Sequence, residues 1–144
     1  MQLLIGANGK LAMVKNVTCG MKTWTVKFEG ACQKELAKYN KRYRREVASV
    51  MSNLQYLHEH LLLGNHLGSC NFGFWGSERD RLYRIGQTGV RDAKETRLYV
   101  FPDEATSIIH VLCIGDKNTQ PRDIKRAKEM IRWIEERKVT SPGN

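Results

Sequence analysis

Seven basic and aromatic side chains lie in or beside three short segments that read as neighbouring strands. The segments are residues 81–87, 95–101 and 107–114, and the short connections between them indicate an antiparallel meander. Antiparallel neighbours lie about 5 Å apart, so long side chains on adjacent strands can reach a single phosphate. The side chains in question are Arg81, Arg84, Arg91, Arg97, Tyr99, His110 and Lys117.

These residue types can cleave the RNA phosphodiester bond without a metal. The ribose 2′-hydroxyl supplies the nucleophile, a base withdraws its proton, and cations stabilise the charge that develops on the phosphate oxygens. Arginine's planar fork suits two non-bridging oxygens, and lysine provides a movable charge or a proton donor. Aromatic rings can stack on exposed bases. The same side chains would also form a surface that only binds nucleic acid, and the residues alone favour binding over catalysis.

The composition describes a globular protein with a polyanionic partner. The chain has 144 residues, of which 41% are hydrophobic and 27% charged, as expected of one ordinary domain. Its net charge of +9 favours nucleic acid, an acidic protein or a membrane surface as partner. Nucleic acid is preferred because the basic residues are spread over several elements. No apolar run approaches a membrane span and Met1–Ile5 makes a poor signal peptide, so we expect a cytoplasmic protein.

The cysteine and histidine residues predict neither disulfides nor a metal. The four cysteines show no paired spacing, which is typical of a reduced protein. His58, His60, His66 and Cys70 cluster around a loop at residues 64–76, but their spacing matches none of the common zinc patterns. We therefore expect no metal site and no cofactor.

Residues 30–63 have apolar side chains at helical spacing throughout. A pair of antiparallel helices with a turn at Asn40-Lys41 suits a small domain better than one long helix. A basic run lies at this bend: Lys38, Lys41, Arg42, Arg44 and Arg45. It is either a solvated helix face or a ridge that contacts phosphates, in which case Lys41, Arg42 and Arg45 bind RNA.

Residues 115–134 predict a tight turn followed by an amphipathic helix. Gly115 and Asp116 end an apolar strand, Thr119 can cap a helix, and Pro121 suits its first turn. Apolar residues then recur at three- and four-residue spacing as far as Ile134. The turn holds Lys117 between two rigid elements, which can define the direction of its charged side chain.

The complete pattern predicts an α+β domain, in which a helical hairpin and a carboxy-terminal helix pack on an antiparallel sheet of about four strands. A strand at residues 22–28 joins the meander. In the segment 95–101, Leu98 and Val100 share one face, which we expect the helices to bury. Arg97 and Tyr99 share the other face, which we expect to be open.

The two ends of the chain fit the pattern less well. Residues 1–21 have no sustained period, and Met21 directly precedes the first clear strand. They are either an extension to a domain that spans residues 22–138, or a short hairpin or edge strand packed on it. Residues 139–144 read as a loose tail.

A family resemblance becomes specific in the last part of the chain. Residues 112–120 (Leu-Cys-Ile-Gly-Asp-Lys-Asn-Thr-Gln) and 122–128 (Arg-Asp-Ile-Lys-Arg-Ala-Lys) resemble the carboxy-terminal motif of RelE/ParE-superfamily toxins. The nearest branch is the addiction module killer protein group, close to the HigB-like toxins. The resemblance extends from about Trp24 to about Ile134 and weakens towards the amino terminus. It implies a RelE-like fold.

The resemblance also implies roles for three residues. RelE-type ribosome-dependent endonucleases have basic residues on the strand that matches residues 81–87, an arginine where Arg97 stands, and a basic residue just after the glycine that matches Gly115. Arg97 and Lys117 would accordingly contact the phosphate or the transition state, with Arg84 as a secondary cation.

The chain departs from the RelE pattern at one position. RelE uses a tyrosine where this chain has Asp123, so the base or stacking group of that enzyme is missing here. HigB-like relatives use histidine and acidic residues, which makes His110 a possible substitute. A lone histidine in so apolar a strand is more often a core residue.

The resemblance implies a toxin of a type II toxin–antitoxin pair, with several activities open. The first is metal-independent cleavage of mRNA in the 30S decoding site, which involves mRNA and ribosomal RNA, with inhibition by a cognate acidic antitoxin of helix-turn-helix type. The second is ParE-like inhibition of DNA gyrase, and the third is a relative that binds nucleic acid or protein without catalysis. The fold does not distinguish them.

Overall fold

The computed structural model describes residues 2–5, 11–14 and 23–140, with side chains from residue 23 to residue 138. Its helices and strands confirm the predicted α+β class. In chain order they are β1 Gln2–Ile5, β2 Leu11–Val14, β3 Thr25–Phe28, α1 Cys32–Arg42, α2 Arg44–Leu62, β4 Trp75–Ser77, β5 Tyr83–Gly86, β6 Thr96–Asp103, β7 Ile108–Asp116 and α3 Gln120–Thr140. Short 3-10 turns lie at Leu67–Ser69 and Lys117–Thr119.

Five strands form the main sheet, in the order β3-β7-β6-β5-β4. The expected antiparallel sheet of about four strands was wrong in two respects. β3 pairs with β7 in parallel, with Thr25 opposite Ile108, and the alternation within one strand carries no information about the direction of its neighbour. β4 lies where a loop was expected, because three residues that include Gly76 are too short to show a period.

The predicted pair of helices is confirmed, but its turn lies elsewhere. The chain leaves the helical conformation at Tyr43, where φ is −126° and ψ is 56°, and not at Asn40-Lys41. Both helices contribute to one core, through Leu36 in α1 and Val47 in α2 among others. The apolar spacing therefore continues across the bend and does not reveal the break.

The sheet is covered on both faces. The pair α1 and α2 packs on one face, against Leu98 and Val100 of β6 and their neighbours on β7. Helix α3 packs on the other face with Ala127, Ile131 and Ile134. Fully burying one such side chain is worth about 1.5–3 kcal/mol, so the two layers together hold the sheet.

The face of β6 that was expected to be open is covered by α3. Tyr99 and Phe101 are fully buried there, together with Leu112 and Cys113. An irregularity between Tyr99 and Val100 lets the consecutive residues Leu112 and Cys113 both face α3. The prediction that Tyr99 looks outward was wrong, because the apolar stripe of α3 needs an apolar partner and finds it on this face.

The turn between β7 and α3 is held by side-chain hydrogen bonds. The backbone N–H groups of Asn118 and Thr119 donate to Asp116 Oδ1 at 2.7 and 3.1 Å. The Thr119 hydroxyl donates to Asp123 Oδ2 at 2.6 Å. Asp116 therefore caps the 3-10 turn Lys117–Thr119, and β7 continues two residues further than predicted, to Asp116 rather than Ile114.

At the amino terminus, β1 and β2 pair as a separate antiparallel hairpin. The remainder of residues 1–21 lies outside the described residues, and so does the proposed domain boundary at residue 22. Helix α3 extends to Thr140, and the rest of the predicted loose tail, residues 141–144, also lies outside them. In the part of the chain that the structure describes, no helix is both long enough and apolar enough to cross a membrane.

Substitution of Gly115 by alanine should destabilise the fold by about 1–3 kcal/mol, since over-filling a packed site has this cost. An alanine Cβ would lie 1.9 Å from Asp123 Oδ2 and 2.8 Å from Thr119 Oγ1. The free energy of unfolding from urea titration checks this. Gly68→Ala is the matched control, because no heavy atom lies within 4 Å of its Cβ position. Equal midpoints for the two variants would contradict the prediction.

Candidate functional site

The two predicted catalytic arginines lie on the same face of the sheet, in neighbouring strands. Arg97 on β6 lies between Gly86 on β5 and Gly115 on β7. Arg84 on β5 lies opposite Gly76 on β4, and an ideal Cβ on that glycine would be only 2.7 Å from Arg84 Cζ. Gly76 thus makes room for the guanidinium group of Arg84 on the sheet.

Arg84 and Arg97 line a common cavity of about 390 Å³ at the end of β5 and β6. Its other walls are formed by Gly73 and Phe74 before β4, by the segment after β5, and by Glu95. This volume is within the range of small-molecule sites. The structure therefore places two of the three predicted catalytic cations in one opening that can hold a phosphate group.

Lys117 joins this site through Glu95. The Glu95 carboxylate oxygen Oε2 lies 3.8 Å from Arg97 Nη2 and 3.8 Å from Lys117 Nζ. The Lys117 backbone N–H also donates to the Glu95 carbonyl oxygen at 3.0 Å. The Lys117 side chain is 69% exposed, so the ammonium group stands at the rim while Arg97 is largely covered.

Glu95 was not among the site residues predicted from the sequence. The signal was present, because strand alternation places residue 95 on the same face as Arg97. A second carboxylate, Glu78, forms an ion pair with Arg84. In the described structure, each of the three predicted catalytic cations therefore has a carboxylate beside it.

The bend between α1 and α2 lies beside this site. The Tyr43 ring is close to both Arg42 and Lys94, with distances from cation to ring centroid of 5.6 and 5.9 Å. Lys94 Nζ in turn lies 3.4 Å from Asp116 Oδ2, next to Lys117 in the chain. These five residues belong to three segments that are far apart in the sequence, and only the fold brings them to one end of the sheet.

Three further predicted RNA-binding residues lie at the same end. Arg45 Nη2 donates to the Arg91 carbonyl oxygen at 3.4 Å, which joins the bend to the loop between β5 and β6. Lys41 is exposed in the last turn of α1. We call Lys41, Arg42, Arg44, Arg45, Arg91 and Lys94 the basic bend. Together with Arg84, Arg97 and Lys117, it forms what we call the cationic end of the molecule.

Arg81 does not join this group. It lies before β5, at the opposite end of that strand from Gly86, which pairs with Arg97. Its Nη1 pairs with Glu135 Oε1 of α3 at 3.1 Å, and its guanidinium carbon lies 5.2 Å from the centroid of the Phe101 ring.

Tyr99 cannot stack on RNA, because its ring is fully buried. Burial raises the pKa of its hydroxyl, and that hydroxyl has no hydrogen-bond partner in the described structure. The expectation that Tyr99 contacts RNA was therefore wrong, for the same reason as its predicted exposure: α3 covers this face.

His110 is also buried, so the expectation that it contacts RNA is not supported by its position. Its Nδ1 lies 2.7 Å from Glu29 Oε2, and its ring stacks on Phe101 at 5.4 Å between centroids. Burial disfavours the charged form of Glu29, but the hydrogen bond with His110 and the charge of Lys27 outweigh this and lower the Glu29 pKa. The side chains of Glu29 and His110 line a cavity of about 220 Å³ between β3, β7 and α3.

The histidines and cysteines that were considered for a metal site have other contacts. His58 Nε2 lies 2.8 Å from the Trp24 carbonyl oxygen, and burial lowers the His58 pKa. His60 packs edge-on against Phe72. Among the described side chains, residues 23–138, no group of three or more His, Cys, Asp or Glu residues lies close enough to hold a metal ion. Cys32, Cys70 and Cys113 are free thiols.

Comparison of the chain with protein-family models, with curated proteins and with solved structures finds no significant match. The resemblance to RelE-like toxins therefore depends on the residues of this chain alone, and function has to be argued from the site.

Substitution of Glu29 by glutamine should lower the free energy of unfolding at pH 7 by about 1–3 kcal/mol, since a buried partner of His110 is lost. A carboxyl group whose pKa is lowered by folding stabilises the folded state at any pH above its unfolded pKa. This contribution disappears as the pH falls through the folded pKa. The difference from the unsubstituted protein should therefore shrink below about pH 4.5. Thermal unfolding as a function of pH checks this, with the exposed Glu104→Gln as control; a difference that is constant with pH would contradict it.

Proposed function

We propose that this chain is a RelE-like toxin that cleaves mRNA in the ribosomal decoding site, acting in the cytoplasm. The single observation that carries the proposal is the position of Glu95. Its carboxylate lies 3.8 Å from both Arg97 and Lys117, on the wall of the cavity that also contains Arg84. A base and three cations around one opening are the groups that cleavage by the 2′-hydroxyl requires.

These positions support the following reaction. Glu95 withdraws the proton of the ribose 2′-hydroxyl, and the 2′-oxygen attacks the adjacent phosphorus. The guanidinium groups of Arg84 and Arg97 bind the non-bridging oxygens, where negative charge grows. The bond to the 5′-oxygen breaks, and Lys117 donates a proton to it. The products are a 2′,3′-cyclic phosphate and a 5′-hydroxyl end.

The carboxylates occupy the cations until RNA binds. The two 3.8 Å distances are longer than hydrogen bonds, and catalytic contacts often become shorter only with substrate. A phosphate that binds Arg97 and Lys117 replaces Glu95 as their partner. The released carboxylate is then next to the ribose of the same nucleotide and can act as the base.

The basic bend explains how RNA would reach the site. Exposed arginine and lysine side chains bind phosphates without reading sequence, and the release of counterions supplies most of that affinity. The bend lies beside Lys117 through the contact of Lys94 with Asp116. The same surface, in a chain of charge +9, can be neutralised by an acidic antitoxin segment that folds over it.

Expression of the chain alone should arrest growth and produce new in-frame mRNA 5′ ends, and the Arg97→Ala/Lys117→Ala variant should lose both effects. The matched control is Lys125→Ala/Arg132→Ala, which removes the same charge from the exposed side of α3. Growth curves and mapped mRNA ends are measured together. Arrest without cleavage that persists in the Arg97/Lys117 variant would favour a gyrase inhibitor. Absence of arrest from folded protein would leave a binding protein.

Glu95→Gln should reduce the cleavage rate by about 10²–10⁴-fold, the usual contribution of a general base, without weakening RNA binding. Glutamine keeps the shape of the side chain but cannot accept the proton. Cleavage of mRNA on purified ribosomes measures the rate, and co-sedimentation measures binding. Glu104→Gln, on the exposed turn between β6 and β7, is the control. Unchanged cleavage by Glu95→Gln would exclude Glu95 as the base.

A further inference from the structure

Three aromatic side chains form a partly exposed cluster beside the candidate active site. Tyr56 of α2 contacts Phe72 edge-on, with centroids 5.0 Å apart and an interplanar angle of 89°, and Phe74 is 6.3 Å from Tyr56. Phe72 and Phe74 stack on each other at 5.1 Å. We call these three residues the aromatic shelf. Tyr56 is 56% exposed, which is a large exposed fraction for a hydrophobic residue of this size.

The shelf is anchored on one side and open on the other. Phe72 and Phe74 pack against the core beneath α2, so their inner edges are fixed. Above them lies a concavity of about 520 Å³, whose walls include Asn53, Gln55 and Glu59 in addition to the rings. A rigid aromatic floor with polar groups at the side is suited to a flat heteroaromatic ring.

The concavity above the shelf meets the cavity of Arg84 and Arg97. The two share Gly73 and Phe74 as lining residues, at the edge of the sheet where β4 begins. Gly73 has no side chain, and no heavy atom lies within 4 Å of the position that a Cβ would take. A strand that is bound to the arginines can therefore pass this edge and reach the shelf.

We infer that the aromatic shelf binds an unpaired nucleobase of the same RNA strand whose phosphate is bound by Arg84 and Arg97. The inference rests on the proposed function and deepens it. The occupant is a base and not a protein side chain because the adjoining cavity presents Arg84 and Arg97, which select a polyanion. Nucleic acid supplies phosphates and aromatic rings along one chain, as this pair of openings requires.

The shelf also supplies a stacking group in place of Tyr99. Tyr99 is buried, and Asp123 stands where RelE has its tyrosine. Tyr56 presents an exposed ring from a different element, α2, on the opposite side of the sheet from α3. Stacking tolerates every base, because each has a π-face, so the shelf would fix the strand without selecting a sequence.

Binding of the full chain to a single strand of 2′-O-methyl RNA, about ten nucleotides long, tests the inference, since this probe cannot be cleaved by 2′-oxygen attack. Fluorescence anisotropy gives the affinity over a range of salt concentrations. Tyr56→Ala should weaken binding about ten- to a hundredfold at every salt concentration, the usual loss for one stacked base. The slope of log K against log salt should not change. Tyr56→Trp should restore the affinity.

Two controls separate stacking from charge. Trp133→Ala removes a ring that is 51% exposed on α3, away from the cavity, and should bind as the unsubstituted chain does. Arg97→Ala/Lys117→Ala should lower the salt slope by about 1.4, since each phosphate contact to a single strand contributes about 0.7. Normal binding by Tyr56→Ala, or an equal loss in Trp133→Ala, would overturn the inference.

An abasic nucleotide placed at successive positions along the probe provides a second test. The unsubstituted chain should lose affinity at one position, and Tyr56→Ala should show no further loss there. A loss that is equally large in both proteins would overturn the inference. A positive result here with no mRNA cleavage in cells would retain the shelf and reject the nuclease. Cleavage in cells with no effect of Tyr56→Ala on binding would retain the nuclease and reject the shelf.

Discussion

The burial of both faces of the sheet is the constraint on which the rest of this structure depends. β6 and β7 lie between the pair α1 and α2 on one side and α3 on the other. A strand in this position has no face left for unpaired charged side chains, because burying an unpaired charge is far more costly than burying an apolar group is favourable. Charged groups are therefore confined to the ends of the strands and to the edges. The cationic end of the molecule is a consequence of this arrangement.

Close contact between backbone and side chains then determines how the cations are presented. Gly86 and Gly115 flank Arg97 on the two neighbouring strands, and Asp123 fills the space above Gly115. The turn that follows is held by Asp116, which caps it. Lys117 consequently leaves the sheet in a defined direction, although its own side chain is exposed. The proposed role of Lys117 requires its ammonium group to be positioned at the leaving oxygen, and the rigid elements around it supply that positioning.

The carboxylates within the cationic end give it two states. Glu78 and Glu95 pair with the arginines and with Lys117 in the described structure, so much of the local charge is balanced before any ligand binds. The pair of Glu95 with Lys117 is exposed on both sides. Such a pair contributes little to stability, so in the proposed function a phosphate can displace it at small cost. Pairs that hold the fold are placed differently, such as Glu29 with His110, where both side chains are buried. The same residue types thus serve folding in one place and, in the proposed function, ligand exchange in the other.

The sequence by itself determined the local elements of this protein. Periodicity predicted the helices, most of the strands and the apolar stripe of α3, because spacing at 3.6 or 2 residues is a local property. It also pointed to Arg84, Arg97 and Lys117 through a family resemblance, whose contiguous motif contains Lys117 alone among the three. It failed for β4, which is too short to show a period, and for the parallel pairing of β3, since alternation does not encode the direction of a neighbour.

Only the tertiary structure decided which side chains are covered and which meet. Tyr99 and Arg97 share a strand face, yet α3 buries the first and leaves the second at the cavity. The role proposed for Glu95 depends on its contact with Lys117. The role proposed for Tyr56 depends on the cavity edge formed by Gly73. These relations join residues that are distant in the chain. They depend on how whole elements pack, because burial and proximity are properties of the packed layers and not of any one segment.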